Sequence, residues 1–303
     1  MENDKRICEL LVETGGYTDL EKPVILTSGE LGIYYINAEK LAQDGGKFNE
    51  FGDDSAAMIS HAVRMMQTHL TFNEAIELLT DKVAKLFPNT NFENCAVSGG
   101  QRRDWLFSGP VAMKLGIPHV SLYKEGQIEI VNPSGAVEDY PINSFYVVHL
   151  VDLITEGSSV YTKTKDRQEK GWVPMIRNAG AVINDLIAVV TRRQGGEETL
   201  KEQGVTVHPF VAIDEAFLMQ YSKNPERAVA YLKDPKAWSE AYLRENGALA
   251  LAGAFDPNGG KLDRANKFLH RYGSVLEGSR MAELEAAVMS KYGKSVSDIS
   301  GGN

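Results

Sequence analysis

The segment from residue 147 to residue 159 constrains the fold of this chain more than any other. Residues 147–151 (VVHLV) are mostly apolar and β-branched, which is typical of a strand buried on both faces of a parallel sheet. Asp152 ends this strand, and the small residues of 155–159 predict a turn that opens a helix. Such a turn aims backbone N–H groups at one point, where phosphate binds. The segment therefore predicts a phosphate site, with Asp152 near the hydroxyls of an attached sugar.

Apolar runs alternate with helical patterns along most of the chain. Strands are predicted at residues 95–97, 119–123, 145–151, 186–190 and 205–213, and a helix is expected to start near Gly157. The alternation predicts an α/β fold with a mostly parallel sheet flanked by helices. Ligands bind such sheets at the carboxyl ends of the strands, where Asp152 is expected. The alternative is an ordinary strand–turn–helix junction, with Thr155 or Ser158 as a helix cap.

The pattern changes after Asp214. Residues 215–303 have helical periodicity, interrupted at Pro225, Pro235 and residues 256–260, and contain no strand pattern. We therefore predict an α/β domain over residues 1–214 and a C-terminal helical extension over residues 215–303.

The charge balance limits the partners of this chain. With 41 acidic and 32 basic residues its net charge is −9, which argues against nucleic-acid binding. An acidic protein that binds an anion must concentrate cations locally, and Arg102, Arg103, Arg192, Arg193 and Lys124 are the candidates. Each cluster taken alone is equally well explained as a solvated surface charge.

The location is expected to be cytoplasmic. The first residues lack the apolar run of a signal peptide, and no stretch of about 18 uncharged apolar residues predicts a membrane span. Cys8 and Cys95 are far apart in the sequence, which is typical of a reducing compartment. Patterns for dinucleotide binding, P-loops, zinc proteases and serine hydrolases do not occur.

The stretch around Asp152 resembles the phosphoribosyl diphosphate (PRPP) signature of type I phosphoribosyltransferases. In that signature an apolar strand leads to two acids, two apolar residues and a phosphate loop rich in Thr, Gly and Ser. This chain has matching residues at Asp152, Thr155, Gly157, Ser158 and Ser159.

Three more elements resemble orotate phosphoribosyltransferases in particular. Residues 26–37 (LTSGELGIYYIN) are similar to the element L-K-S-G-R-x-S-P-Y-[YF]-x-[ND], and residues 193–196 (RQGG) to D-R-Q-E-G-G. Residues 98–100 and 123–125 occupy the places of the diphosphate loop and of an R-K-E strand end. The resemblance extends over about residues 10–214.

The resemblance implies a role for each matching residue. Asp152 would contact the ribose hydroxyls, directly or through Mg²⁺, and Lys124 would add a cation near the diphosphate. The 5′-phosphate would be held mostly by backbone N–H groups of Thr155, Glu156, Gly157, Ser158 and Ser159. The diphosphate would lie against the backbone of Gly99 and Gly100.

The base would lie against Ser28, Gly29, Tyr34 and Tyr35, and Arg193 would meet its acidic group. Because the two tyrosines alternate on a strand, one of them could equally belong to the core.

Several positions depart from the family pattern. Val151 replaces the first acid, Thr27 replaces a lysine and Glu30 an arginine, and the mobile K-x-H-G segment is missing after Lys124. Glu156 lies inside the phosphate loop. A carboxylate about 4 Å from one negative charge costs roughly 4 kcal/mol at an effective dielectric constant of about 20. Either the Glu156 side chain points away from a bound phosphate, or this loop does not bind phosphate. Our hypothesis is that Arg102 and Arg103 replace some of the missing cations.

The resemblance implies a divergent enzyme that transfers phosphoribosyl from PRPP to a base such as orotate, needs Mg²⁺, serves pyrimidine biosynthesis and forms a homodimer. The alternative is a PRPP or nucleotide sensor with the same fold and no turnover. The missing acid and loop residues favour the sensor, whereas Arg193 and Tyr34 favour the enzyme. A purely structural protein that has kept the scaffold is a third, weaker alternative.

Overall fold

The computed structural model describes residues 4–259 and 262–300, which form two compact units. The first unit contains the residues up to Tyr17 together with Asn37–Phe217. The second contains Thr18–Ile36 together with the residues from Leu218 onward. Each unit has its own elements and its own core.

The strands of the described residues are β1 (Tyr17–Ile25), β2 (Leu31–Ile36), β3 (Cys95–Gly100), β4 (His119–Leu122), β5 (Ile128–Val131), β6 (Val137–Glu138), β7 (Tyr146–Ile154), β8 (Thr162–Lys163), β9 (Glu169–Lys170), β10 (Val182–Thr191) and β11 (Thr206–Ala212). The α-helices are α1 (Lys5–Glu13), α2 (Ser55–Met66), α3 (Leu70–Ala84), α4 (Trp105–Leu115), α5 (Trp172–Asn178), α6 (Gly196–Glu202), α7 (Glu215–Tyr221), α8 (Pro225–Lys233), α9 (Pro235–Asn246), α10 (Leu262–Tyr272), α11 (Ser279–Tyr292) and α12 (Val296–Ser300). Short 3₁₀ helices cover Ala38–Ala42, Lys47–Phe51, Leu249–Phe255 and Gly273–Leu276.

The first unit is built on a seven-stranded sheet in the order β11-β10-β7-β3-β4-β5-β6. The first five strands of this order run parallel, and β5 and β6 are added antiparallel at one edge. The apolar strand β7 lies between β10 and β3, with residues 147–151 buried. The predicted fold class, a mostly parallel sheet flanked by helices with further helices at the C-terminus, is confirmed.

The prediction of a helix that starts near Gly157 is wrong. The N–H groups of Val160 and Tyr161 both donate to the Gly157 carbonyl at 2.9 Å, which closes a turn. The hairpin β8–β9 follows, and the next helix, α5, begins only at Trp172. The physical reason lies in residues 162–170, which contain no apolar side chain, so a helix there would have no face to bury.

The second unit contains the β1–β2 hairpin as well as the C-terminal helices. Its core includes Ile25 and Leu31 of the hairpin region with Phe255, Phe268 and Leu284 of the helical region. The predicted division into residues 1–214 and 215–303 placed this hairpin in the α/β domain. The structure groups it with the helices because its apolar residues are buried among theirs.

No helix in the described ranges is long and apolar enough to cross a membrane.

A polar layer is buried within the sheet of the first unit. The Ser98 hydroxyl lies 2.8 Å from Nδ1 of His149 on the neighbouring strand. His119 lies between two hydroxyls, with Nε2 at 2.8 Å from Ser108 and Nδ1 at 3.0 Å from Ser121. Burial lowers the pKa of His119 and of His149 from 6.5 to about 3. Both imidazoles are therefore neutral at neutral pH. Hydroxyl groups partner both ring nitrogens of His119 and Nδ1 of His149, whereas the buried Nε2 of His149 has no hydrogen-bond partner in the described residues.

This layer predicts an acid sensitivity of the fold. Below pH 6.5 the unfolded chain takes up a proton at each histidine that the folded chain rejects. The free energy of unfolding should therefore fall by about 1.4 kcal/mol per pH unit for each histidine, until the pH approaches the folded pKa. The unfolding free energy of His149→Gln, measured in urea between pH 7 and pH 4, should fall less steeply with pH than that of the wild type, by the contribution of one histidine. His270→Gln, at an exposed position, should keep the full slope. A wild-type slope in His149→Gln would contradict the prediction.

Candidate active site

The loops that follow four parallel strands lie along one edge of the sheet, in the order β10, β7, β3, β4. Hydrogen bonds link each loop to the next. The Gly196 N–H donates to the Thr155 carbonyl at 3.1 Å, and the Asp152 N–H donates to Oδ1 of Asp104 at 2.9 Å. The Lys124 N–H donates to Oε1 of Gln101 at 2.9 Å. The structure thus brings together the predicted residues at 99–103, 124, 152–159 and 193.

The turn after β7 presents unused hydrogen-bond donors. None of the backbone N–H groups of residues 156–159 donates to another group in the described part of the chain. A row of adjacent N–H groups in a turn is an anion-binding concavity even without a helix behind it. The turn therefore keeps backbone donors of the kind that were predicted for a phosphate, although the helix predicted to start near Gly157 is absent at this position. The Glu156 side chain is exposed to solvent.

Glycine is required at two positions where this turn meets the loop after β10. Gly157 has a φ of +75°, and a Cβ there would lie 3.2 Å from the Cα of Gly196. A Cβ on Gly196 would lie 2.6 Å from the Thr155 carbonyl oxygen and 2.9 Å from the Gly157 nitrogen. The two loops pack backbone against backbone, which holds the donors of residues 156–159 in place.

Asp104, which sequence reasoning missed, joins the two central loops of the edge. Its Oδ1 accepts the Asp152 N–H and its Oδ2 accepts the Gly100 N–H, both at 2.9 Å. Asp104 as a whole residue is 8% exposed. An aspartate before an apolar helix usually caps that helix, but Asp104 makes no capping hydrogen bond to α4. The sequence pattern therefore indicated a helix cap, whereas in the structure Asp104 bridges two backbone N–H groups.

The Asp104 and Asp152 carboxyl groups are electrostatically coupled. Burial raises the pKa of Asp104, and the negative charge of Asp152 raises it further. Burial also raises the pKa of Asp152, while the Arg103 guanidinium opposes that rise. The two acids therefore hold a proton more readily than two exposed carboxyl groups, and a cation placed between them would release it.

Most of the predicted cations have partners within the first unit. Arg102 donates to the Asn49 side-chain oxygen at 2.5 Å and to the Gly52 carbonyl at 3.3 Å. Arg103 forms an ion pair with Glu39, and Arg193 lies 3.3 Å from Glu197. Only the Lys124 ammonium, among these four, has no partner in the described residues.

Gly99 and Gly100 are explained by packing inside the protein. A Cβ on Gly99 would overlap the Ser108 hydroxyl, and one on Gly100 would overlap the Trp172 ring. Because the Gly100 N–H is bonded to Asp104, this donor is not presented to a ligand in the observed arrangement. The sequence analysis predicted that these glycines let a diphosphate approach the backbone closely. In the structure, the side chains of Ser108 and Trp172 occupy that space.

The predicted base-binding residues other than Arg193 lie in the second unit. Tyr34 is 6% exposed and packs edge-to-face on Tyr231, with ring centroids 5.6 Å apart. Tyr35 is 46% exposed. Gly29 has a φ of +82°, and a Cβ there would lie 2.6 Å from the Cβ of Lys267. Of the two tyrosines, Tyr34 therefore belongs to a core. Ser28 lies in the same turn as Gly29 and is exposed.

Comparisons with known proteins agree with the motif assignment. The orotate phosphoribosyltransferase of Thermoplasma volcanium is 25% identical over 195 residues, which are 63% of this chain and 88% of the relative. The adenine phosphoribosyltransferase of Pectobacterium atrosepticum is 29% identical over 136 residues, or 43% of this chain and 72% of the relative. No protein-family model matches the chain.

Among solved structures, orotate phosphoribosyltransferase from Aeropyrum pernix aligns with 71% of this chain and 98% of its own, at 18% identity and a TM-score of 0.46. The sequence matches confirm the predicted resemblance to type I phosphoribosyltransferases.

The bridge made by Asp104 can be tested by an isosteric change. Asp104→Asn keeps one acceptor but points an N–H₂ group at the second backbone N–H, so one buried donor loses its partner. The free energy of unfolding should fall by about 1–3 kcal/mol in urea titrations. Asp53→Asn, at an exposed position, is the matched control and should change it by less than about 0.5 kcal/mol. Equal stability of the two variants would rule the bridge out.

Proposed function

Because this chain is a divergent relative of the type I phosphoribosyltransferases, we propose that it transfers a phosphoribosyl group from PRPP to a nitrogenous base and releases diphosphate. The row of unused N–H groups at residues 156–159, beside the Asp152 carboxyl group, is the observation that carries this proposal. These donors suit the 5′-phosphate, and Asp152 suits the hydroxyls of the attached ribose.

The transfer requires the site to stabilise two opposite charges. As the bond to diphosphate breaks, the ribose gains positive charge and the leaving group gains negative charge. A carboxylate at Asp152 stabilises the ribose, and cations near the Gly99–Gly100 loop stabilise the diphosphate. Lys124 is free to do so, whereas Arg102 and Arg103 must exchange or share the partners that they now have.

Mg²⁺ fits this site as a shared ion. No group of three or more His, Cys, Asp or Glu side chains in the described residues could hold a metal alone. Mg²⁺ is commonly bound through one or two carboxylates together with substrate phosphates and water, and Asp152 is the carboxylate placed for that. When bound, the ion neutralises charge on the diphosphate.

The base that we propose is orotate or another planar acidic heterocycle. The cationic Arg193, in the loop that contacts the phosphate turn, favours an acidic base over adenine. To meet the base, its guanidinium must exchange or share Glu197. The same proposal includes a role in pyrimidine biosynthesis and a homodimeric state, both of which rest on the family resemblance. It also includes a cytoplasmic location, which rests on the N-terminal composition and the two distant cysteines.

A sensor without turnover is the second candidate, and two observations favour it. Val151, at the place of the family's first acid, is 3% exposed and belongs to the core. The Gly100 N–H is occupied by Asp104. Both observations reduce the number of groups that could stabilise the transition state, while the phosphate turn remains.

One calorimetric experiment separates the two candidates. The full chain is titrated with PRPP and Mg²⁺, and the same sample is then assayed for diphosphate release with orotate and with adenine. Binding with release in the presence of orotate supports the enzyme. Binding without release for either base supports the sensor, and no binding refutes both.

Gly157→Ala should weaken PRPP binding at least about tenfold. Alanine at this positive φ is strained and its Cβ meets Gly196, so the donors of residues 156–159 shift. The matched control is Gly204→Ala, which has a φ of +72° and open space around its Cβ. It should bind PRPP as the wild type does. An equal effect of both substitutions would assign the loss to general destabilisation and contradict the role of the turn.

A further inference from the structure

The second unit contains a cleft of about 540 Å³ lined by Ser28 of the β1–β2 turn and by residues of α10. The helix residues are Asn266, Lys267, His270 and Arg271. Their spacing places them on one face of the last turns of α10. The volume lies within the range of small-molecule sites, about 300–1,000 Å³.

The cations of α10 contact the two turn positions where the family pattern has its own cations. Thr27 stands in place of a lysine, and its carbonyl oxygen lies 3.5 Å from the Lys267 ammonium. Glu30 stands in place of an arginine, and its carboxylate accepts from Arg271 at 2.7 Å. Helix α10 thus brings positive charge to both places where residues 26–37 lack the cations of the family pattern.

These cations keep donors for a ligand. Arg271 uses one terminal nitrogen on Glu30 and has further N–H groups without a partner in the described residues. Lys267 is paired with Asp263 at 2.7 Å, but Asp263 is 72% exposed, so this pair is weak. His270 is exposed and makes no hydrogen bond to a described residue. A carboxylate or phosphate could therefore be bound by several charged donors at once.

Asn266 adds an acceptor to the donors of this cleft. Its side-chain oxygen is buried and accepts no hydrogen bond from any described residue. A buried acceptor without a partner costs about 1–3 kcal/mol. Basic residues in the last turn of a helix also interact with its dipole. The dipole accounts for His270 and Arg271 in the last turn of α10, but not for Lys267 or for the unpaired acceptor of Asn266.

We propose that this cleft binds a small organic anion, with its carboxylate or phosphate on Lys267 and Arg271 and an N–H donor on the Asn266 oxygen. A planar heterocyclic acid such as orotate has both groups; choosing it as the probe rests on the proposed function. Residues 215–303 then contribute directly to ligand binding.

The test is calorimetric titration of the full chain with orotate and, separately, with inorganic phosphate. Lys267→Gln combined with Arg271→Gln should weaken binding at least about tenfold. Asn266→Asp is nearly isosteric, leaves both ion pairs in place and puts a negative charge in the cleft, so it should weaken binding by a similar factor. Arg264→Gln, on the same helix but outside the cleft lining, is the matched control and should bind as the wild type does.

The two arms identify the anion. Loss of orotate binding in both cleft variants supports a carboxylate ligand, and loss of phosphate binding alone supports a phosphate ligand. Unchanged affinity of the cleft variants for both probes, or no binding by the wild type, overturns the proposal. PRPP titration of the same samples keeps the tests distinct. Retained PRPP binding leaves the proposed function standing when the cleft fails, and its loss in the wild type removes the proposed function separately.

Discussion

The site at the sheet edge depends on one buried carboxyl group. Asp104 accepts a hydrogen bond from the end of β3 at Gly100 and another from the end of β7 at Asp152. A buried carboxyl group in this position is costly unless its oxygens are satisfied. The two backbone donors satisfy these oxygens, and the same hydrogen bonds fix the positions of Gly100 and Asp152. The bridge sets the spacing between the two loops on which the proposed chemistry rests.

The N–H groups of this edge divide into two sets. Those of Gly100 and Asp152 are used internally and hold the scaffold. Those of residues 156–159 have no internal partner in the described chain. Unpaired donors that a packed scaffold holds in place are pre-organised for a ligand, because binding then requires little ordering of the backbone. This division explains how the turn keeps its unpaired N–H groups without a helix behind it.

The sequence predicted the order of strands and helices, because period-two and period-3.6 patterns depend only on local residues and on burial. It also placed Asp152 near the carboxyl end of a parallel strand, which the structure shows. It failed at Gly157, although the apolar-free stretch of residues 162–170 contained the signal against a helix. It failed for Asp104, whose partner N–H lies 48 residues away along the chain.

The sequence by itself determined the α/β pattern, the glycine of the turn after β7 and the family resemblance, because these depend on residue type and spacing. Only the tertiary structure decided which side chains meet. It paired Asp104 with the Asp152 backbone, gave three of the predicted cations other partners, and put Lys267 and Arg271 beside Thr27 and Glu30. The reason is physical: contacts between distant segments follow from how buried surfaces pack, and no local pattern specifies that packing.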